Sequence, residues 1–473
     1  MKKYTLYILF VFLNIIMPAQ PTHEFQKILA SDGQPDDMFG ASLAIQENIA
    51  VFGTPQDDDV VNNAGAVYVY ERNGTSWGFK QKLTISESEE ADMLGEAVGI
   101  DGNFIVASAY QAAGITGNTG AAYIWKKNGD TWEFMQKIYA SDGSSADNFG
   151  KSIAVDGNYI VVGADNEDFG SGSAYVFYFD GTNWTQIAKL QGDDNLNDYF
   201  GHSVDISGDY IAVGAWQANV SGSNEGAVFV FKNNSGTWEF LQKLSADDAE
   251  DDDVLGYSVA IDGDYIVTGA HGDDFATGSA YVFYNNGETW EQQAKLTQNN
   301  GSYEDYFGKN VSISGDFILV AAQKYDTAKG DEGAVYLFVR EGTSWARTSM
   351  FSASDASDTG LYGYCTAIDG NYAFASSVQN NGTVYALGPD NVSVNNTEKN
   401  DISVFPNPVY SYFKIKNINE EIKSLTIFDL SGKILFKQNN VGKMINISNL
   451  PPGNYFLKIN TKNQDIYKMI IKN

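Results

Sequence analysis

Seven times along this chain a short aromatic or apolar residue is followed by glycine in the same local setting, as MFG, MLG, NFG, YFG, VLG, YFG and LYG. The glycines are Gly40, Gly95, Gly150, Gly201, Gly256, Gly308 and Gly363, at intervals of 55, 55, 51, 55, 52 and 55 residues. So regular a period is the mark of a propeller blade or a large solenoid turn, in which each unit buries its apolar faces against its neighbours.

Within a unit lie four short β-type runs, seen well in the third: SIAVDG, NYIVVGA, SAYVFYFDG and NWTQIAKL. Asp156-Gly157-Asn158 and Asp180-Gly181-Thr182 suit tight hairpins. Helical periodicity is absent, and Gly and Asn interrupt any run that might support it. Four antiparallel strands per repeat is the plan of a propeller blade. The final-strand type occurs as EFQKIL at residues 24–29 and in segments beginning at Trp77, Trp132, Trp184, Trp238, Trp290 and Trp345, seven in all. The last repeat ends at GTVYAL with no final strand of its own. Residues 24–29 are therefore expected to complete the blade begun by 361–387 and close the ring. The predicted fold class is all-β: a seven-bladed β-propeller over 21–390, a linker at 391–400, and a small immunoglobulin-like β-sandwich over 401–473.

The six recurrent tryptophans read as inter-blade packing, because a residue repeated at one structural position serves the scaffold. Trp216 differs. It follows Gly214-Ala215 where a loop begins, no other repeat has Trp there, and it is the candidate ligand contact.

These repeats resemble the FG-GAP repeats of integrin α-subunit propellers and of many bacterial surface proteins. The resemblance rests on Phe200-Gly201, the SVDI strand after it, Gly214-Ala215, and the GAVFVF strand from Gly226 to Phe231. It implies a seven-bladed ring with binding loops on one face, and a role in adhesion or ligand recognition. Integrin-type blades often carry a DxDxDGxxD calcium loop between their first two strands, whereas here that connection is DGN, DGD or SGD, too short to wrap an ion that takes six to eight oxygens. The family's calcium sites are not carried over.

Two other acidic groups recur. Asp37, Asp92, Asp147, Asp198, Asp253 and Asp305 each stand three residues before the repeat glycine, the place of a turn-capping carboxylate. Asp57, Asp58 and Asp59, then Asp165, Glu167 and Asp168, then Asp273 and Asp274 follow second strands; they read as solvated loop charge or as oxygen ligands to calcium.

The formal charge is −30, unevenly spread. The last 79 residues carry 11 Lys against 6 acids, and with Lys2 and Lys3 set aside the segment between holds −37. Such a field repels phosphate backbones and anionic lipid, which argues against nucleic acid as a partner. Lys2 and Lys3, an apolar run from Tyr4 to Met17, and small or polar residues at Ala19 and Gln20 read as a signal peptide over 1–20. The run is too short to span a bilayer, no later segment is apolar enough, and an integral membrane protein is not expected. Cys365 is the one cysteine, far from the cleavage point, so neither a lipid anchor nor an intramolecular disulfide is expected; it reads as a small core residue.

Beyond the Asn-rich linker the runs ISVFPNP, YFKIKN, SLTIFDLSGKILF, MINISNL, NYFLKIN and IYKMIIKN suit a small antiparallel sandwich. This segment resembles the type A C-terminal sorting domain of the type IX secretion system, through Phe405-Pro406-Asn407-Pro408, Asp429 to Gly432-Lys433, Leu450 to Gly453-Asn454-Tyr455, and the ending from Lys468 to Lys472. The resemblance implies recognition by the type IX machinery of a Bacteroidota-type bacterium, with removal of the module and release or attachment at the surface.

For catalysis the chain offers His23, His202 and His271; the latter two fall in different repeats and different blade positions, so no preformed pair is expected. No GxSxG elbow, HExxH helix or phosphate loop stands out. The reading is a non-enzymatic recognition or adhesion protein that binds an extracellular protein or glycan through propeller loops. The alternatives are an exported propeller enzyme acting on polysaccharide and a structural surface-layer component.

Overall fold

The computed structural model describes residues 20–389 except 115–116, 193–196, 300, 327–329, 357–359 and 380, and then 403–405, 412–416, 422–428, 433–439, 445–451, 453–461 and 465–472. The expected leader apart from Gln20, the expected linker, and the sorting-motif residues Pro406, Asn407, Pro408 and Gly432 lie outside the described residues. The chain divides into two compact units, Met1–Asp390 and Asn391–Asn473.

The first unit contains seven four-stranded antiparallel sheets. Blades 1 to 6 run in chain order over 42–83, 98–138, 149–190, 200–244, 258–296 and 307–351. Blade 7 joins 366–388 to the N-terminal strand His23–Ile28, which pairs with Thr383–Gly388 from His23↔Gly388 to Ile28↔Val384. The first strand of each blade is innermost, and these strands pack side by side around the ring until blade 7 meets blade 1. The expected closure is therefore the observed one.

Second strands such as Ile49–Thr54, Phe104–Ala109 and Phe317–Ala322 are buried along their whole length. Each sheet is covered on both faces by its neighbours, which is why these runs show no polar alternation. Between third and fourth strands the register shifts at the same place in all seven blades, for example Val176/Phe177 and Val230/Phe231, a bulge that adds twist to the outer edge.

The repeated tryptophans pack across blade boundaries. Trp77 meets Phe374 edge-on at 5.0 Å, Trp184 meets Phe104 at 5.2 Å, Trp238 meets Tyr159 at 5.4 Å and Trp290 meets Tyr210 at 5.5 Å. A glutamine on the preceding blade grips the same residue's main chain: Gln136 Nε2 donates to Trp184 O at 2.7 Å and Trp184 N donates to Gln136 Oε1 at 2.8 Å.

Gly214 explains the repeated Gly-Ala step. A Cβ there would stand 2.0 Å from the carbonyl oxygen of Gly256 in the next blade, and Gly53, Gly163 and Gly269 face Gly95, Gly201 and Gly308 in the same way. Blade-to-blade approach at this level leaves no room for a side chain.

At the opposite end of the innermost strands, the last side chain of each accepts a backbone N–H from the next blade's turn. Gln46, Asp101, Asp156, Ser207, Asp262 and Ser314 accept from Gly102, Gly157, Gly208, Gly263, Gly315 and Gly370. Asp369 accepts from Glu47 and closes the circle. The acids of these short turns serve as inter-blade latches.

The second unit has a three-stranded sheet of Ser403–Phe405, Tyr412–Lys416 and Ile445–Asn446, and a four-stranded sheet ordered Ile434–Asn439, Ile422–Phe428, Gly453–Thr461, Asp465–Lys472. Leu425, Ile427, Ile445, Tyr455, Leu457 and Ile470 are among its core residues. Of the sorting-motif residues, Tyr455 is buried with its hydroxyl donating to Pro451 O at 2.6 Å. Gly453 opens its strand opposite Lys472, which is buried, and Lys433 is exposed. Among the described residues no helix is long and apolar enough to cross a membrane.

Candidate binding site at the channel mouth

The residue after each repeat glycine starts an innermost strand at one end of the central channel. Round the ring these are Ala41, Glu96, Lys151, His202, Tyr257, Lys309 and Tyr364. Four of them are met by the residue that follows the second strand of the preceding blade. Tyr110 lies under Lys151 with the ammonium 5.6 Å from its ring centroid; Asp165 Oδ2 is 2.9 Å from His202 Nδ1; Trp216 stands 5.9 Å from Tyr257; His271 Nε2 is 3.2 Å from Lys309 Nζ. The scaffold repeats while this rim does not: adjacent blades always supply different chemistries at the equivalent place.

A cavity of about 350 Å³ opens here, lined among others by Lys151, His202, Tyr257, Lys309, Gln323 and Tyr364. Its aromatic side lies in blades 4 to 6. Trp216, half-buried, stacks on Tyr199 at 5.4 Å; His202 and Tyr257 are 4.7 Å apart, and Tyr257 and His271 are 4.4 Å apart. Lys309 Nζ sits 3.8 Å over the Tyr257 ring, a cation–π contact.

Charge is arranged unevenly round the rim. Burial alone would lower the Lys151 ammonium, but Glu96 at 2.9 Å outweighs it and raises its pKa. Burial, with Lys309 and His202 nearby, depresses His271 to about 3, so its imidazole is neutral and Nε2 accepts from Lys309. Tyr364 is pushed up to about 12, chiefly by burial. Cys365 is half-buried beside it, lines the cavity, and has its thiol pushed up to about 11 by burial, which leaves it unreactive.

Trp216, chosen from the sequence, thus belongs to this cluster. His202 and His271, from different repeats, both pack on Tyr257, because the ring sets the post-strand position of one blade beside the first-strand position of the next. Asp205 was missed. It is the one acid four residues after a repeat glycine, where other blades have Ala44, Gly99, Ala154, Ala260, Ser312 and Ala367. It accepts from Ile261 N at 2.8 Å and Ile206 N at 2.9 Å, and burial raises it to about 7 despite those bonds.

The acidic loop groups are placed otherwise. Asp57 is buried against Lys82 at 2.7 Å and accepts from the Tyr68 hydroxyl, with Asp59 and Asp32 on the same lysine. Glu167 pairs with Lys189, and Asp273 pairs with Lys295 at 2.7 Å, each lysine holding a second acid, Asp142 or Asp248. Asp58 accepts from Asn63 N, and Asp165 turns away from Glu167 to His202. Asp168 and Asp274 open left-handed turns, φ 47° and 49°, that leave Phe169 and Phe275 88% and 87% exposed. A lysine ammonium thus stands where a cation would, and among the described residues no cluster of three or more His, Cys, Asp or Glu is placed to hold a metal ion. These residues as placed do not fit a calcium cage. Asp37, Asp92, Asp147, Asp253 and Asp305 each accept the backbone N–H of the residue three before, as turn caps.

Compared with family models, residues 22–70, 77–125, 132–177, 184–231, 238–283 and 290–338 match the FG-GAP repeat, and residues 403–473 match the secretion system C-terminal sorting domain. The matched repeats start one strand ahead of the blades, at the closing strand. No curated protein matches the chain. Among solved structures, it is similar to PorZ, described as an essential bacterial surface component of the type-IX secretion system of human oral-microbiomic Porphyromonas gingivalis, with TM-score 0.48 and 13% identity. That alignment covers 94% of this chain and 61% of PorZ, so the chain spans under two thirds of that protein's length.

Proposed function

The chain belongs to the FG-GAP repeat family, and from that premise we propose that it is a recognition protein whose channel-mouth face captures an extracellular glycan or protein partner. Its C-terminal unit addresses it to the type IX machinery, and it is a secreted or cell-surface protein of a Bacteroidota-type bacterium. The supporting observation is the contrast at the rim: Glu96, Lys151, His202, Tyr257, Lys309 and Tyr364 occupy equivalent positions with no two neighbours alike, although the strands that carry them are near copies. A scaffold has no use for that variety, whereas an asymmetric ligand does.

Catalysis is a weaker fit. Glycoside hydrolysis uses two carboxylates about 5–10 Å apart with one kept protonated, while the rim acids Glu96 and Asp165 are each engaged with a basic side chain. The test is a binding screen of the purified protein against glycan and surface-protein arrays. A saturable partner whose binding is lost in Trp216→Ala supports the reading. Release of reducing sugar from a polysaccharide panel would overturn it in favour of an enzyme.

A further inference from the structure

The rim is not electrostatically uniform, and its imbalance runs against the charge of the molecule. The chain carries −30, yet among the described residues Lys309 and Lys324 have no carboxylate within ion-pair reach. Lys151 is matched by Glu96, and Lys82, Lys189 and Lys295 by two or three acids each; Lys126, Lys127, Lys137 and Lys232 also lie over aromatic rings, but Lys309, unlike them, lines the cavity at the mouth. Lys309 is instead fixed over Tyr257 at 3.8 Å, and Lys324 over Tyr306 at 4.8 Å, with Tyr306 also 5.8 Å from Lys309. Among the described residues the only side-chain acceptor on Lys309 is the imidazole of His271, which is neutral and leaves the ammonium charge uncompensated. A cation held in place by aromatic rings rather than by an acid keeps its charge for something else.

Beside it lies a cluster of aromatic rings. Trp216 is half-buried, stacked on Tyr199, and meets edge-on the ring of Tyr257, which lines the cavity of about 350 Å³ together with Lys309. That size is at the small end of ligand pockets, which run from about 300 to 1,000 Å³, and admits one sugar ring at the end of a chain. Aromatic faces take the C–H face of a pyranose, and an ammonium takes a carboxylate. Resting on the recognition reading above, we infer that the blade 4–6 sector of the mouth binds an acidic sugar of the uronic acid class, its ring against Trp216 and Tyr257 and its carboxylate on Lys309.

The experiment titrates the purified chain with tetragalacturonate, with its fully methyl-esterified form, and with a tetraglutamate peptide, following heat and tryptophan fluorescence. The expected result is saturable binding of the acid form, with the ester and the peptide at least about tenfold weaker. Lys309→Met weakens binding of the acid form at least about tenfold, whereas Lys309→Arg keeps it within about threefold. Unchanged melting temperatures of both variants establish that the fold survives. Equal binding of acid and ester overturns the carboxylate assignment but leaves the recognition reading standing. Equal binding of the peptide overturns the sugar assignment. No binding of tetragalacturonate, with a different partner found in the array screen, ends this inference alone; an empty array screen as well ends both.

Discussion

The two ends of the innermost strands obey different rules. At the turn end, seven side chains of three types do the same thing, each accepting one backbone N–H from the next blade. At the mouth end, the chemistry changes at every step, from Glu96 to Lys151 to His202 to Tyr257. The same strands carry both ends, so backbone geometry cannot account for the difference. Where the ring needs a bond, the repeats converge on whatever side chain supplies it; where it needs none, they have diverged.

The comparison can be broken most readily at the scaffold. Trp184→Ala empties a fully buried site between blades 2 and 3 and is expected to cost about 3–5 kcal/mol in chemical denaturation; a loss under 1 kcal/mol would show that the tryptophans do not hold the blades. Asp156→Ala removes one latch, leaves Gly208 N–H to water, and is expected to cost about 1–2 kcal/mol, against no measurable change for Lys309→Met at the mouth. Equal costs at the two ends would erase the distinction drawn here.

Asp205 sharpens it through pH. Its carboxyl is raised in the folded protein to about 7 from 3.8, so the native state holds the proton more tightly than the unfolded chain. Its contribution to stability is complete below pH 3.8 and is lost as pH rises to about 7. Asp205→Asn is expected to flatten the wild-type decline in melting temperature between pH 5 and pH 8; parallel curves for the two proteins would remove Asp205 as its source. The smallest expected effect is that of calcium. With Asp57, Glu167 and Asp273 already on lysines, millimolar calcium is expected to leave the melting temperature within about a degree, and a clear rise would mean that the ion displaces Lys82, Lys189 or Lys295.

What could be read from the sequence was what repeats. Period, blade number, the closing strand and the tryptophan contacts all recur in register, and recurrence is visible without coordinates. The mouth was legible only at Trp216, because it broke a pattern. His202, His271 and Lys309 are scattered from position 202 to position 309 of the sequence, and only the step from one blade's second strand to the next blade's first strand unites them. The loop acids misled for the opposite reason: they cluster in sequence, but partner lysines near the ends of the fourth strands, Lys82, Lys189 and Lys295, take up their charge. Asp205 shows that the signal was present in part, since an acid in a column of alanine, glycine and serine is detectable once the repeats are aligned.

The seam of the ring lies between His23–Ile28 and Thr383–Gly388, so both halves of the fastening fall on the near side of Asp390. A protease that severs the chain anywhere beyond Gly388 takes nothing from the clasp, and the ring keeps its shape and its mouth. Trimming the six residues of the first strand would undo it, as pulling a lace undoes a shoe. The address label is detachable by topology, while the first few residues of the ring are not.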